Sequence, residues 1–397
     1  MFYFLIYDSP VMRGLQGRFL KQLPKSEEPF NAFFPSPLPP DPPIQWTPEI
    51  RNALSRADSM LGRLDGISRV LPDTNLFISF YSRKEAVLSS QIEGTQSTLS
   101  ELLLFEADEF FPEHQQEIRE VFNYLDAMRH GLERLQGGFP LSLRLIREMH
   151  ERLLRTGRGS DKTPGEFRTT QNWFGGSRPG NATYVPPPVN EMHDALNAFE
   201  KFLHDGQQEF PTLIHAAMLH LQFESIHPFL DGNGRMGRLL VTLLLVERQV
   251  LSEPLLYPSL YLKRNRTRYY ELLQQVRLEG NWEQWIEFFL EAIAVTAEQA
   301  VELSKRVLQL FRADEGRLTN KGVKQASLLL VLKSLQYTPF TTANQLVRQT
   351  RLSLPTVNRA LEELIRLNIL HEISGRNRNR VYRYTEYVAM LNEGTEL

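Results

Sequence analysis

The stretch FESIHPFLDGNGRMGRLLVTLLL, residues 223–245, decides most of what this sequence predicts. We expect one helix to end and a strongly apolar helix to begin within it, with residues 227–234 forming the loop between them. Gly232 and Gly234 flank Asn233 and permit positive φ angles or close backbone approach. Free backbone N–H groups at the start of the second helix would then form a nest that binds phosphate.

Four side chains beside this loop favour phosphate chemistry. Arg235 and Arg238 lie three residues apart, hence on one helix face, and can bind further phosphate oxygens. Asp231 is the nearest carboxylate and could hold a divalent metal ion that bridges phosphates. His227 is the side chain best suited to accept a hydroxyl proton near neutral pH. The plain alternative, a helix-connecting loop with capping glycines, does not account for so many such groups within twelve residues.

Residues 227–238, HPFLDGNGRMGR, resemble the signature of the Fic family, H-x-F-x-[D/E]-G-N-G-R-x-x-R, at every defined position. The resemblance implies a compact helical core that transfers AMP from ATP to a Ser, Thr or Tyr hydroxyl of a protein and releases pyrophosphate. It implies that His227 is the general base and that Asp231 binds Mg²⁺. The remaining motif positions would bind the phosphates of ATP: Gly232, Asn233, Gly234, Arg235 and Arg238.

The centre of the motif separates two reactions within the family. Relatives that phosphorylate their targets replace the glycine-asparagine-glycine element with a variant that contains lysine. This chain keeps GNGR at residues 232–235. The resemblance therefore favours adenylylation over phosphorylation.

A second motif lies at the end of a helix expected over residues 76–94. Ser89 and Glu93 are four residues apart and share a face, and Gly94 would stop the helix. Taken alone, this is as readily a solvated helix end with an incidental carboxylate. It also resembles the Fic inhibitory motif, [S/T]-x-x-x-E-[G/N], which implies that Glu93 pairs with Arg238 and keeps it from the γ-phosphate of ATP. Some relatives use this glutamate to position water for AMP removal, so the reverse reaction stays open.

Two further segments are expected near the site. Residues 167–185 predict a β-hairpin, and the segment GEFRTTQNWFGG, residues 165–176, lies where the family has a target-docking flap; a plain structural hairpin is the alternative. The resemblance places Tyr270 at the adenine, with a core aromatic as the alternative. His215 and His220 are five residues apart and do not share a face well, so we interpret them as structural.

The N-terminal region predicts an extended arm. Nine prolines lie between residues 24 and 48, which excludes helix and central strand and favours polyproline II. The apolar start, MFYFLIY, has no basic segment before it, so we do not expect a signal peptide. The aromatic residues of the arm favour packing on the protein's own surface over binding to another protein's groove: Phe30, Phe33, Phe34 and Trp46.

The C-terminal region predicts a basic winged helix, with short helices near 324–336, 342–350 and 353–367 and two strands around a polar tip. Residues 341–385 carry eight arginines and three glutamates, a net charge of +5, in a chain of formal charge −2. Thr356, Asn358 and Arg359 could read a DNA major groove. Dimerisation or docking of a protein is equally open.

Composition excludes several classes. The chain has 397 residues, of which 42% are hydrophobic and 10% aromatic, as in globular proteins. The balance of 45 Lys and Arg against 47 Asp and Glu argues against a protein that coats nucleic acid throughout. The absence of cysteine excludes disulfides and thiolate sites and fits a cytoplasmic location. The longest apolar stretch, residues 239–246, is too short to span a membrane.

We therefore expect a mainly α protein in three parts. Residues 1–110 would hold the arm, the Pro-rich segment and the inhibitory helix, residues 111–312 a Fic-type helical bundle with a small hairpin flap, and residues 313–397 a winged helix-turn-helix domain. The expected function is an autoinhibited adenylyltransferase that uses ATP and Mg²⁺ on a protein target, including itself. The alternative is a DNA-binding transcriptional regulator whose Fic core senses nucleotide or modifies only itself. A homodimer stays open.

Overall fold

The computed structural model describes residues 13–23, 28–69, 73–107, 115–205, 209–318 and 325–396. Within these ranges it is mainly helical with two small antiparallel sheets, which confirms the expected fold class. The strands are β1 (Gly17–Gln22), β2 (Phe30–Pro35), β3 (Phe340–Thr342), β4 (Leu370–Glu372) and β5 (Val381–Tyr384). The helices are α1 (Pro48–Ser68), α2 (Thr74–Ile92), α3 (Leu99–Glu106), α4 (Gln115–Gln136), α5 (Leu143–Leu153), α6 (Val189–Asp205), α7 (Thr212–Ile226), α8 (Asn233–Glu247), α9 (Ser259–Arg264), α10 (Arg266–Glu279), α11 (Trp282–Leu318), α12 (Gln325–Tyr337), α13 (Ala343–Thr350), α14 (Leu354–Arg366) and α15 (Thr385–Asn392).

Helices α7 and α8 form the centre of the bundle. Every residue from 213 to 226 is buried, and nearly all of α8 is buried as well. A helix that is apolar on all sides is stable only when other helices surround it, here α2, α4, α6, α10 and α11. The short connection between α7 and α8 is therefore held in place from both ends.

Helix α11 supports the bundle along one side. It runs for 37 residues and packs lengthwise against α1. Helix α1 begins where the side chain of Thr47 accepts a hydrogen bond from the Ile50 N–H, and Pro48 occupies the first turn. The division expected at residues 312 and 313 falls inside α11, because this helix continues without a break to Leu318. The division expected at residues 110 and 111 lies outside the described residues.

The N-terminal arm forms a two-stranded sheet that the sequence analysis missed. Strand β1 pairs with β2 from Gly17 opposite Pro35 to Gln22 opposite Phe30. The pairing was hidden because β1 is largely exposed and lacks an apolar alternation, while β2 lies among prolines. The arm does lie on the protein's own surface, where Phe33 is buried, but Trp46 is 40% exposed, against expectation.

The C-terminal part consists of α12, α13 and α14 and a three-stranded antiparallel sheet in the order β3-β5-β4. The helices begin and end within one or two residues of the expected positions, and β4 and β5 flank the polar tip. The last helix, α15, returns to the bundle, where the ring of Tyr387 packs edge-on against Phe80 of α2 at 5.2 Å. Among the helices described, none is both long and apolar enough to cross a membrane.

Candidate active site

His227 ends α7 in a left-handed backbone conformation, with φ 48° and ψ 62°. Its N–H still donates to the Phe223 carbonyl at 2.9 Å and closes the helix. Glycine usually occupies a left-handed position of this kind, and other residues rarely do. The Arg168 Nε donates to the His227 carbonyl at 3.1 Å. The ring of Phe174 packs edge-on against the imidazole at 4.2 Å. These contacts hold a strained turn in place at the position expected for the general base.

The expected phosphate nest lies six residues further on. Gly232 has φ 78° and precedes the first residue of α8, Asn233. The Asn233 side chain accepts from the Phe229 N–H at 2.9 Å and donates to the Phe229 carbonyl at 2.8 Å. The side chain therefore locks the loop. The groups that remain to bind a phosphate are the backbone N–H groups in the first turn of α8.

Gly234 serves close approach rather than positive φ. It lies inside α8, and a methyl group at this position would overlap Glu93 Oε1 and come 3.0 Å from Arg238 Nη1. The carboxylate of Glu93 therefore sits directly against the first turn of α8. Only glycine leaves room for a ligand or carboxylate there.

Arg238 is buried and is held by the end of α2. Its Nη2 lies 2.7 Å from Glu93 Oε1, and its Nε donates to Ser89 Oγ at 2.8 Å. Burial alone would raise the pKa of Glu93, but the charge and hydrogen bond of Arg238 outweigh it and hold that pKa below its usual range. Gly94, with φ 98°, follows this contact and ends the helical conformation. The structure thus brings Ser89, Glu93 and Gly94 to the motif of residues 227–238.

Arg235 points to a different carboxylate. It is buried, with Nη1 3.3 Å from Glu120 Oε2 of α4 and Nη2 3.7 Å from Asp231 Oδ1. Burial raises the pKa of Glu120, and the charge of Arg235 opposes that rise. The two arginines therefore share the helix but face carboxylates from α4 and from the end of α2.

Asp231 lies at the mouth of the loop, with its side chain 24% exposed. Its Oδ1 accepts from the Gly232 N–H at 2.6 Å, and its Oδ2 lies 3.6 Å from Arg158 Nε. The described residues contain no group of three His, Cys, Asp or Glu side chains arranged around a metal site. One accessible carboxylate beside a phosphate nest fits Mg²⁺, which keeps several waters and needs only one or two carboxylates besides phosphate oxygens.

The two adjacent tyrosines of α10 divide between core and surface. Tyr269 is buried, and its hydroxyl lies 2.8 Å from His220 Nε2. Tyr270 is 42% exposed, and the guanidinium of Arg266 lies 5.6 Å from its ring centroid. Burial and the nearby charge of Glu93 raise the pKa of Tyr270 to about 12. The core alternative therefore holds for Tyr269 and is wrong for Tyr270.

The hairpin expected over residues 167–185 is wrong in its strands. This part of the chain, which is fully described, contains one isolated bridge, from Phe174 to Tyr184, and a short 3₁₀ helix over Pro179–Asn181. Side chains replace the backbone pairing: Asn172 donates to the Phe229 carbonyl in the loop between α7 and α8, and Gln171 reaches across the segment to the Pro186 carbonyl. The segment keeps the position of a flap, because Phe174 touches His227.

Three buried groups at the site escaped the sequence analysis. His150 lies parallel to the Phe229 ring at 3.7 Å, and its Nε2 lies 3.0 Å from the Asp231 carbonyl. Arg277 donates from Nε to Ser225 Oγ at 3.0 Å. Glu224 lies one helical turn before His227. The spacing of three residues places both on one helix face, and this spacing was the signal in the sequence that could have identified Glu224. His215, interpreted as structural, is buried with Nε2 3.0 Å from the Phe202 carbonyl.

Comparison with known proteins agrees with this geometry. Residues 51–133 match the family model described as Fic/DOC family N-terminal, and residues 140–245 match the one described as Fic/DOC family. Protein adenylyltransferase Fic of Aedes aegypti is 35% identical over 165 residues, covering 41% of this chain and 29% of that protein. The protein of the same name from Culex quinquefasciatus is 34% identical over 168 residues, again covering 41% of this chain and 29% of the relative.

The likeness extends to the fold. The crystal structure of a Fic family protein from Desulfovibrio desulfuricans G20 has a TM-score of 0.57 and 21% identity, and the match covers 86% of this chain and 98% of that one. The match to the curated relatives, in contrast, spans less than a third of their length. The two matched family segments contain the end of α2 with Glu93 and the loop with His227. This chain therefore contains a Fic/DOC family N-terminal segment and a Fic/DOC family domain.

Proposed function

We propose that the protein is an autoinhibited adenylyltransferase, which transfers AMP from ATP to a Ser, Thr or Tyr hydroxyl of a protein, including itself. The observation that carries the proposal is the loop between α7 and α8. It places His227 at one end and the free N–H groups of α8 at the other, with Arg238 one turn into that helix. The curated relatives are named as adenylyltransferases, which supports the same chemistry.

The reaction needs a base, a phosphate cradle and a neutralised leaving group. The hydroxyl oxygen forms a bond to the α-phosphorus, its proton passes to His227, and the bond to the bridging oxygen breaks so that pyrophosphate leaves with the electron pair. Burial, together with the charges of Arg168 and Arg277, lowers the pKa of His227 well below its usual value. The ring is therefore neutral at pH 7 and able to accept the proton.

The remaining groups would hold the nucleotide. The N–H groups at the start of α8 would bind the α-phosphate, and Arg235 and Arg238 the distal phosphates. Bound Mg²⁺, held by Asp231, would neutralise charge on the phosphates. The exposed ring of Tyr270 would lie against the adenine, because it is near Arg238 but outside the core.

Autoinhibition would follow from competition for one guanidinium. Glu93 occupies Arg238 at 2.7 Å and lies against Gly234, the space that a distal phosphate would need. A carboxylate and a phosphate repel one another and cannot share one arginine at this distance.

The target would dock at the flap, where the rings of Trp173 and Phe174 are each 39% exposed.

The position of the label tests the reaction type. With Mg²⁺ and a Glu93→Gly variant, we expect protein to be labelled from ATP that carries ³²P at the α-phosphate and not from ATP that carries it at the γ-phosphate. Intact-mass spectrometry should show adducts of one AMP each. Labelling from the γ-phosphate alone would show phosphorylation and contradict the proposal.

A second function, DNA binding by the C-terminal part, is favoured by one surface. A groove of about 520 Å³ lies between α14 and the polar tip, and it is lined in part by Asn358, Arg378 and Arg380. All three side chains are exposed, as is Arg359, whereas Thr356 is half-buried and lies 2.8 Å from Ser353 Oγ. Arginines at a groove rim are suited to phosphate and base contacts.

Duplex DNA binding can be measured by fluorescence anisotropy at several salt concentrations. If the groove reads DNA, Arg378→Ala and Arg380→Ala should each weaken binding and lower the salt slope by about 1. The control is Arg56→Ala on α1, an exposed arginine paired with Glu291, which should leave the binding unchanged. Equal binding by all three variants would exclude this groove.

A further inference from the structure

Two buried polar side chains, His227 and Glu224, lie beside one another at the proposed base, and each has one atom without a hydrogen-bond partner among the described residues. Glu224 Oε2 lies 3.9 Å from His227 Nδ1. Within the described residues, neither His227 Nδ1 nor Glu224 Oε1 has a hydrogen-bond partner. The two residues are 7% and 9% exposed, so water does not replace the missing bonds freely.

Stability does not explain a carboxyl group in this place. A buried polar group without a partner costs about 1–3 kcal/mol, and more if it is charged. Glu224 also lies in the last turn of α7, where the helix dipole disfavours negative charge. A group that is unfavourable by both criteria, one turn from the proposed base, indicates a functional role.

We propose that Glu224 is a positioning residue for the transfer reaction, and that its carboxylate accepts the Nδ1–H of His227 so that Nε2 is free to take the hydroxyl proton. This inference rests on the proposed function of the same site. A side-chain movement of about 1 Å would shorten the present 3.9 Å to a hydrogen bond. Such contacts are often long without substrate and shorten when the substrate binds.

The charges around this pair connect it to the inhibitory contact. Burial raises the pKa of Glu224 to about 7, with Arg238 and Arg277 opposing the rise and Glu93 adding to it. When Glu93 leaves the site, one source of that rise is removed, and the carboxylate form of Glu224 is favoured. Release of the inhibitory glutamate would therefore also prepare the acceptor for the histidine.

Other groups also surround the pair. Arg277 donates to the Glu224 carbonyl at 3.3 Å. Arg168 and Arg277 both lower the pKa of His227, and the Glu224 carbonyl opposes them. On the α10 side, the neighbouring titratable groups are Tyr269, Tyr270 and, through Tyr269, His220, which burial keeps neutral by lowering its pKa to about 4. Glu224 thus places a carboxylate 3.9 Å from a base whose neighbouring cations are Arg168 and Arg277.

The test compares Glu224→Gln and Glu224→Ala in a Glu93→Gly background. The amide of Gln can still accept the Nδ1–H but carries no charge, whereas Ala removes the acceptor. We expect kcat for AMP incorporation to fall about 10-fold with Gln and about 100-fold with Ala, with little change in KM for ATP. Glu247→Gln, a carboxylate at the far end of α8 that accepts from the Leu141 N–H, is the matched control and should leave kcat unchanged.

The pH profile adds a readout that a structural role would not change. A carboxylate stabilises the imidazolium and raises the pKa of His227, so its removal should lower that pKa. The acid limb of kcat should therefore move to lower pH in the Gln variant. Unchanged kcat and an unchanged profile in both Glu224 variants would overturn the inference.

Nitrogen NMR of the His227 ring separates this inference from the proposed function. In the Glu93→Gly parent we expect the tautomer protonated at Nδ1, and loss of that preference in the Ala variant. An Nε2-protonated parent would overturn the role of Glu224 whether or not AMP is transferred. A parent that shows the expected tautomer but incorporates no label would refute the proposed function and leave the hydrogen bond established.

Discussion

Replacing Glu93 by glycine is expected to raise AMP incorporation roughly 10²-fold. The carboxylate lies 2.7 Å from the buried Arg238 and against Gly234, so a bound triphosphate must first displace it. Breaking an ion pair of this burial costs on the order of 3 kcal/mol, and each 1.4 kcal/mol corresponds to a factor of ten. Initial rates with α-labelled ATP and Mg²⁺ measure the effect directly.

The matched variant is Glu93→Gln, which keeps the length of the side chain and removes its charge. Because an amide binds a guanidinium less strongly than a carboxylate does, this variant should lie between wild type and Glu93→Gly. Affinity for ATP, measured by calorimetry, should rise in the same order. Equal incorporation by all three proteins would mean that Glu93 does not restrain the site.

The second large effect is expected from His227→Ala in the Glu93→Gly background. Loss of the base should lower kcat for AMP transfer by about 10²–10⁴-fold, because the imidazole that would accept the hydroxyl proton is then missing. Binding of ATP should persist, since the N–H groups of α8 and Arg238 remain. The combination of retained binding and lost transfer is the diagnostic result.

His204→Ala is the control for that experiment, because His204 is exposed near the end of α6. It should transfer AMP at the rate of the Glu93→Gly parent. Circular dichroism would establish that the His227 variant keeps its helices. Transfer at the parental rate by the His227 variant would rule out this histidine as the base.

The local pattern around residues 223–245 was sufficient to predict two helices joined by a glycine loop. A long apolar run indicates a buried helix, and glycines next to a helix start indicate a backbone that approaches a ligand. The same motif identified Arg235 and Arg238, and the second motif identified Glu93, before any distance was known. Helix periodicity and glycine position depend on residues that are close in sequence, so they can be predicted without the tertiary structure.

Contacts between distant segments were beyond the sequence alone. The pairing of β1 with β2, the bond from Asn172 to the loop between α7 and α8, and the partnership of Arg235 with Glu120 each join parts of the chain with no shared periodicity. The flap illustrates the consequence. Its aromatic and glycine pattern predicts a hairpin, but side-chain bonds to the bundle leave a single bridge.

By itself the sequence predicted the helical class, the resemblance to the Fic family, the candidate base and the pairing of Glu93 with Arg238. Only the tertiary structure decided that Arg235 pairs with Glu120, that the Asn233 side chain locks the loop, and that Glu224 lies beside His227 with its Oε1 unpaired among the described residues. The physical reason is that motif spacing is a property of one helix or one turn. Burial and unpaired charge, in contrast, arise when α2, α4, α7, α8 and α10 enclose the same small volume.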